Sequence, residues 1–323
     1  WMSKPLKQSK RQKLERFFRR GQSQEIGPSL DMPLGLSDPK IAEELKKAGV
    51  QFPMQGVKVS KRASHTGQLK SLTLDPSLIL RPVSGVTEIQ GARDYMEDRS
   101  IAIDDIRSIH EAEKYKENLP YAYWAVYDGH AGFRAAEICK QKLHKIIVEN
   151  ENFFSGQVDK AIQESLAIMD EEIIQTGIDE GWTEGCCVSI VIVVGTILYS
   201  ANLGDSHMML SRNINRCESI VLSETHKASV PSEKQRITSA GGMVMRNRVF
   251  GDLSISRALG DLNYKKPKQE VNYVSNEAYM RRIAMTQNNH YIIIASDGLW
   301  DTVSHKEAVN MLYTQKNLDP KEM

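Results

Sequence analysis

The sequence predicts an α+β fold in which mainly antiparallel sheets are flanked by segregated helices. Two observations carry that prediction. The first is the apolar, β-favouring run Trp124-Ala-Val-Tyr127, which leads into Asp128-Gly129-His130; the pattern recurs in Tyr291-Ile-Ile-Ile-Ala-Ser-Asp297-Gly298. Such runs form buried strands and do not ordinarily end in charge. The second is the order of elements. Strands come first, then two long adjacent helices, then several more strands, which is not the alternation of a βαβ repeat. An Asp-Gly step alone reads equally well as a turn. Two buried strands that each present an aspartate at one end suit an oxygen-rich site for a hard divalent cation.

At 323 residues and 36.5 kDa the chain can bury a large core in one or two domains. Charged residues make up 26% and hydrophobic ones 41%, an ordinary globular composition, and the formal net charge of +1 gives no drive toward nucleic acid. Cys139, Cys186, Cys187 and Cys217 show no C-x-x-C spacing. They read as small core residues in a reducing compartment, not as disulfides or a zinc site. The longest apolar stretch, Val188–Val194, falls short of the roughly 20 residues that cross a bilayer. The N-terminus lacks the apolar segment of a cleavable signal peptide, and the expected location is cytoplasmic, nuclear or both.

Residues 1–20 hold eight basic residues and one acid. Leu14, Phe17 and Phe18 fall at i, i+3, i+4, so residues 8–20 read as a basic amphipathic helix. Its two uses are packing on the domain through the phenylalanines, or contact with an anionic membrane or an import receptor. Gly21 to Pro33 reads as a linker, and Asp38-Pro39 starts a short helix ending near Ala48-Gly49. Residues 50–82 contain short alternating pieces such as Gly56-Val-Lys-Val-Ser60.

From residue 83 the periodicity is clearer. Val86 to Gly91 is extended, and Ser100-Ile-Ala-Ile-Asp104 alternates as a strand. Residues 107–120 form a connection, and Trp124 to Tyr127 is the central strand. Phe133 to Val148 is helical, with Ala136, Leu143, Ile146 and Ile147 largely on one face. A second helix spans Val158 to Thr176, with Ile162, Leu166, Met169 and Ile173 spaced by four, three and four. Three strands follow: Cys186 to Val194, Ile197 to Leu203 and Ser206 to Ser211. Helix Ser232 to Ala240 stops at Gly241-Gly242. Strand 290–296 and helix Lys306 to Tyr313 close the pattern.

Arg93-Asp-Tyr-Met-Glu97-Asp98 joins two extended stretches, so Arg93 and Glu97 are poorly placed to be a helix ion pair. Glu97 suits a metal, and the Arg93 guanidinium suits a pair of phosphoryl oxygens. Two cations about 4 Å apart could share Asp128, and Gly129 lets its carbonyl approach a metal closely.

These runs, with Ala201-Asn-Leu-Gly-Asp-Ser206, Arg236-Ile-Thr-Ser-Ala-Gly-Gly242, Gly251-Asp-Leu-Ser-Ile-Ser-Arg-Ala-Leu-Gly-Asp261 and Ala295-Ser-Asp-Gly-Leu-Trp-Asp301, closely resemble the metal-dependent serine/threonine protein phosphatases of type 2C. Six motifs stand in the family's order over residues 86–323. The resemblance implies a four-layer α-β-β-α sandwich with two central antiparallel sheets. It makes residues 83–323 the catalytic domain and 1–82 an accessory extension. It implies two Mn²⁺ or Mg²⁺ ions held by Glu97, Asp128, the Gly129 carbonyl and Asp297, and a weaker third ion at Asp205 and Asp301. Arg93 would hold the phosphate and His130 would be the general acid. The implied reaction is direct attack on phosphoserine or phosphothreonine by a hydroxide between the metals, in a monomer acting on phosphoproteins. Arg257 and Asp261 are read as support for the adjoining flap region, not as chemistry. The alternatives are a pseudophosphatase that binds phosphoproteins or kinases, and a hydrolase of small phosphomonoesters.

Departures from the family are also legible. Ala131 stands where glycine is usual, a mild change if its φ is negative. Gly185-Cys-Cys187 replaces a common Gly-Ser-Thr, and His207 replaces an arginine, with loss of one surface charge expected. Thr225-His-Lys227 replaces Asp-His-Lys. A further family aspartate, in an Asp-Asn pair on a late strand, does not occur before Met323. An incomplete chain, a form without that strand and a degenerate phosphatase are the three readings. The first is favoured, because absence of the strand would expose a sheet edge.

Overall fold

The computed structural model describes residues 79–110, 114–213, 217–265, 272–314 and 320. The expected basic helix, linker and Asp38–Gly49 helix, and the alternating pieces before residue 79, lie outside the described residues.

The longest pairing in the fold is between β2 (Tyr121–His130) and β3 (Gly185–Val194). It runs antiparallel without a register break from Tyr121↔Val194 to His130↔Gly185. With β1 (Arg99–Ile103), β4 (Ile197–Leu203) and β10 (Tyr279–Ala284), these strands form a sheet ordered β1-β2-β3-β4-β10. The short β9 (Leu259–Gly260) adds to the Gly185 end of β3. A second sheet is ordered β11-β5-β6, from β5 (His207–Asn213), β6 (Cys217–Val221) and β11 (Asn289–Ala295). A small hairpin pairs β7 (Val244–Met245) with β8 (Arg248–Val249).

Alternation along β2 explains why its apolar run is unbroken. Tyr121, Tyr123, Ala125 and Tyr127 face α1 (Arg134–Glu149), the short α2 (Glu151–Phe154) and α3 (Val158–Glu180). There they meet Leu143, Ile147, Ile162, Leu166, Met169 and Ile173, all fully buried. Ala122 and Trp124 face the other way, onto Met208, Leu210, Ile292 and Ile294 of the second sheet. Each large buried aliphatic side chain contributes about 1.5–3 kcal/mol, so both faces of the central strand favour one register. Beyond the second sheet, α6 (His305–Thr314) buries Ala308 and Val309 and covers β6. The layers are therefore helix, sheet, sheet and helix, as expected. Among the described residues no helix is long and apolar enough to cross a membrane.

Two local expectations differ, and the alternative turn at Asp128-Gly129 drops out. Val86 to Gly91 forms no strand; Glu88 instead accepts Ser100 N at 2.9 Å and Ser100 Oγ at 2.5 Å on β1. Asp128-Gly129 is not a turn, because β2 continues through it opposite Cys187 and Cys186. Helix α3 runs past Thr176 to Glu180, where Gly181 closes it in the left-handed region.

Candidate metal centre

The strand ends place four carboxylates at one rim of the sandwich. Asp128, two residues before the end of β2, accepts a hydrogen bond from Ser206 Oγ at 3.1 Å. Burial, then the negative fields of Asp98, Asp297 and Asp205, push its pKa up to about 8. Asp98 accepts from Ser296 Oγ at 2.6 Å, which ties the segment before β1 to the end of β11. Asp297 opens the single-turn α5 (Asp297–Trp300). Burial, Asp205 and Asp301 raise its pKa, against the opposing Lys227. Asp205, in the tight β4–β5 turn, is 7% exposed; Lys227 Nζ lies 3.2 Å from its Oδ2 and Cys187 Sγ 3.7 Å from its Oδ1.

The residues expected in the site are thus distributed unevenly. Asp128, Asp205 and Asp297 come together, and Asp301 lies within their field on the exposed end of α5. Glu97 Oε1 accepts Gly132 N at 2.9 Å, at the turn that follows β2. Gly129 lies where a β-carbon would stand 2.7 Å from Glu97 O and 2.9 Å from Gly132 O, so the absence of a side chain is required. Arg93 is exposed on the loop before Glu97, and its guanidinium makes no hydrogen bond to a described residue. Asp98 was missed in the sequence. It bears on Asp128 more strongly than Asp297 or Asp205 does.

The donor set fits a hard divalent cation. Among the described residues, Asp98, Asp128 and Asp297 have no ion-pair partner, and Asp205 has only Lys227. Carboxylate oxygens held this close, with one ammonium among them, favour added positive charge.

His130 ends β2 with Nε2 at 2.8 and 2.9 Å from the two oxygens of Asp261. Burial alone would push its pKa down, but Asp261 raises it above the usual value, with smaller help from Asp128. Asp261 is therefore the partner of the imidazole, which corrects its reading as flap support alone. It is 3% exposed and sits in the left-handed region with φ 56°. Gly185 makes room for the pair, since a β-carbon there would stand 2.3 Å from His130 Nε2 and 2.5 Å from Asp261 Cγ. Behind it, Asp170 Oδ1 accepts Gly260 N at 2.8 Å and Lys265 Nζ at 2.6 Å, and its Oδ2 accepts Asn276 Nδ2 at 2.9 Å. Arg257 supports the same region as expected, through Glu233 at 2.7 Å.

Four departures take on a structural meaning. Ala131 has φ 58°, so the condition for a mild change is not met and the residue is strained. His207 is half-buried between Trp300 and His305, with its Nε2 3.2 Å from Thr225 Oγ1, and burial lowers its pKa. In Thr225-His-Lys227, the buried His226 accepts Gly204 N on Nδ1 at 3.2 Å and Lys227 pairs with Asp205. Cys187 lies among the acids. Its Sγ and one oxygen each of Asp128 and Asp205 all fall within 4.8 Å of one another.

Fold and site together define an α-β-β-α sandwich with a carboxylate cluster and a carboxylate-held imidazole at one rim. Residues 83–323 match the family described as Protein phosphatase 2C, and the chain belongs to that family. It is 33% identical over 243 residues to Protein spalten of Dictyostelium discoideum, covering 73% of this chain and 24% of that protein. It is 29% identical over 299 residues to the integrin-linked kinase-associated serine/threonine phosphatase 2C of Bos taurus, covering 89% and 79%. The chain thus spans about a quarter of the first relative and most of the second. A solved serine-threonine phosphatase 2C from Toxoplasma gondii shares the fold with a TM-score of 0.61 at 21% identity, covering 71% of this chain and 83% of that one.

Proposed function

We propose that the chain hydrolyses phosphoserine and phosphothreonine in proteins, with Mn²⁺ or Mg²⁺ at the carboxylate rim. The observation that carries this reading is the gathering of Asp98, Asp297 and Asp205 about Asp128, with Lys227 on Asp205 as their one ion-pair partner among the described residues; family membership supports it. Asp128, Asp297, Asp98, Glu97 and the Gly129 carbonyl would hold two cations, and Asp205 with Asp301 a weaker third. Bound there, the cations would supply charge neutralisation at the phosphoryl group and an activated water. Arg93, on its exposed loop, takes two phosphoryl oxygens with its planar fork. Because His130 Nε2 is engaged by Asp261, Nδ1 is the nitrogen left to protonate the departing serine or threonine oxygen. The Asp261 carboxylate favours the protonated imidazole before the step and fixes its ring. The proposed site of action is the cytoplasm or nucleus.

The test is a leaving-group contrast. Mn²⁺ or Mg²⁺ should support hydrolysis of phosphopeptides and EDTA should abolish it. His130→Ala should lower turnover of a phosphoserine peptide about 10²–10⁴-fold, the worth of general acid catalysis. The loss should be much smaller with p-nitrophenyl phosphate, whose leaving oxygen needs little protonation. Equal losses on the two substrates would reject His130 as the acid. A chain that binds neither ion and turns over neither substrate would reject the phosphatase reading.

A further inference from the structure

Cys187 is the residue at the rim that a site for hard cations does not call for. Strand pairing sets it directly opposite Asp128, in the β2–β3 register. Gly204 permits its approach to the turn that carries Asp205, because a β-carbon at Gly204 would stand 2.2 Å from Sγ. The oxygens of Asp205 are divided: Oδ2 faces Lys227 at 3.2 Å and Oδ1 faces Cys187 Sγ at 3.7 Å. Asp128 engages Ser206 Oγ through Oδ2. One sulfur and two carboxylate oxygens are therefore grouped within 4.8 Å of one another.

One edge of that triangle has a chemical match. Tetrahedral zinc with metal–sulfur distances of about 2.3 Å and metal–oxygen distances of about 2.1 Å has a sulfur–oxygen edge of about 3.6 Å. The observed Sγ–Oδ1 distance of 3.7 Å is such an edge. Three protein ligands leave a fourth position for water, and a thiolate ligand selects thiophilic cations over magnesium.

We propose that Cys187, Asp128 and Asp205 form a binding site for a thiophilic divalent cation of the Zn²⁺ class. The site competes with the activating ions, because both use Asp128; in that respect the inference rests on the metal-centre reading above. On binding, the Cys187 S–H bond breaks, a sulfur–metal bond forms and the proton passes to solvent, with no change in oxidation state. Occupancy withdraws Asp128 from the hydrolytic arrangement, so Zn²⁺ inhibits the enzyme.

Cadmium is the probe, titrated into the full chain while ultraviolet thiolate-to-metal absorbance and proton release are followed. Wild type should develop the charge-transfer band to saturation at one equivalent. Cys186→Ser should retain the band, and Cys187→Thr should lose it and bind Cd²⁺ at least about tenfold more weakly. Asp205→Asn, which keeps the thiol, should also weaken binding, and it serves if Cys187→Thr does not fold. A wild-type chain without the band, or a band that survives in a folded Cys187→Thr, would overturn the proposal. Mn²⁺ binding to the same samples, read by electron paramagnetic resonance, separates the two readings. Bound Mn²⁺ without a Cd²⁺–thiolate band overturns this inference alone, and no bound Mn²⁺ overturns the Mn²⁺ centre itself.

Discussion

Replacing Asp128 with asparagine should stabilise the metal-free protein while abolishing its activity. Burial and the carboxylates of Asp98, Asp297 and Asp205 raise the Asp128 pKa from 3.8 to about 8. The folded-state value lies above the unfolded one, so this group's stabilising contribution is complete below about pH 4 and is lost as pH rises through about 8. At about 1.4 kcal/mol per pH unit, the aspartate costs the metal-free fold about 4 kcal/mol at pH 7. Asparagine keeps the shape and can still accept from Ser206 Oγ, but carries no charge. Thermal melts in EDTA should therefore show the variant and wild type close together at pH 4 and diverging up to about pH 8. At about 2–4 °C per kcal/mol, the variant should melt roughly 10 °C higher at neutral pH. Added Mn²⁺ should raise the wild-type melting temperature far more than that of the variant, whose turnover should fall at least about 10³-fold. A variant no more stable than wild type in EDTA across this range would refute the electrostatic account of the rim.

Three further outcomes follow from local geometry. Ala131→Gly should raise stability by about 0.5–1 kcal/mol in chemical denaturation, because relief of the left-handed strain at φ 58° exceeds glycine's added unfolded-state entropy. Gly185→Ala should lower kcat about 10²-fold or more with little change in Mn²⁺ affinity, since the new methyl group displaces the His130–Asp261 pair. Burial, and then Arg257, depress the His226 pKa from 6.5 to about 4, so its contribution is present above about pH 6.5 and lost as pH falls toward 4. His226→Asn should remove about 3 kcal/mol of the acid sensitivity in that window, read from urea unfolding at several pH values.

The elements that define the fold were legible because their periodicity is strong. Strands β2 to β5 and helices α1 and α3 repeat their apolar residues at the spacing of the faces they bury. Asp128 and Asp297 were legible because charge at the end of a buried strand is conspicuous. Asp98 was not, since Arg93-Asp-Tyr-Met-Glu-Asp98 offers three acids on a loop and no period says which one faces inward. The His130–Asp261 bond joins residues 131 apart in the chain, and the β3–β9 pairing helps to bring them together. Ala131 and Cys187 were visible as departures from a pattern. What each departure does depends on a backbone angle in one case and a cross-strand neighbour in the other.

The buried acids of this chain divide into two populations with opposite consequences. Asp170, Glu184 and Glu233 each have a base within 3.0 Å: Lys265, Arg134, and Arg257 with Arg236. These three build the walls of the site. Asp170 holds Gly260, the Glu184 carbonyl accepts Asp261 N at 3.1 Å, and Glu233 fixes Arg257. Removing one partner of such a pair leaves an uncompensated buried charge and costs about 3–5 kcal/mol. Asp98, Asp128 and Asp297 have no such partner among the described residues, and for Asp128 the imbalance favours removal of the charge. A neutralising substitution should therefore destabilise at Asp170 and stabilise at Asp128, although both are acids in the same part of the fold. That opposition of sign follows from where the counter-charge comes from: a side chain of the protein at the walls, and a cation from solution at the rim.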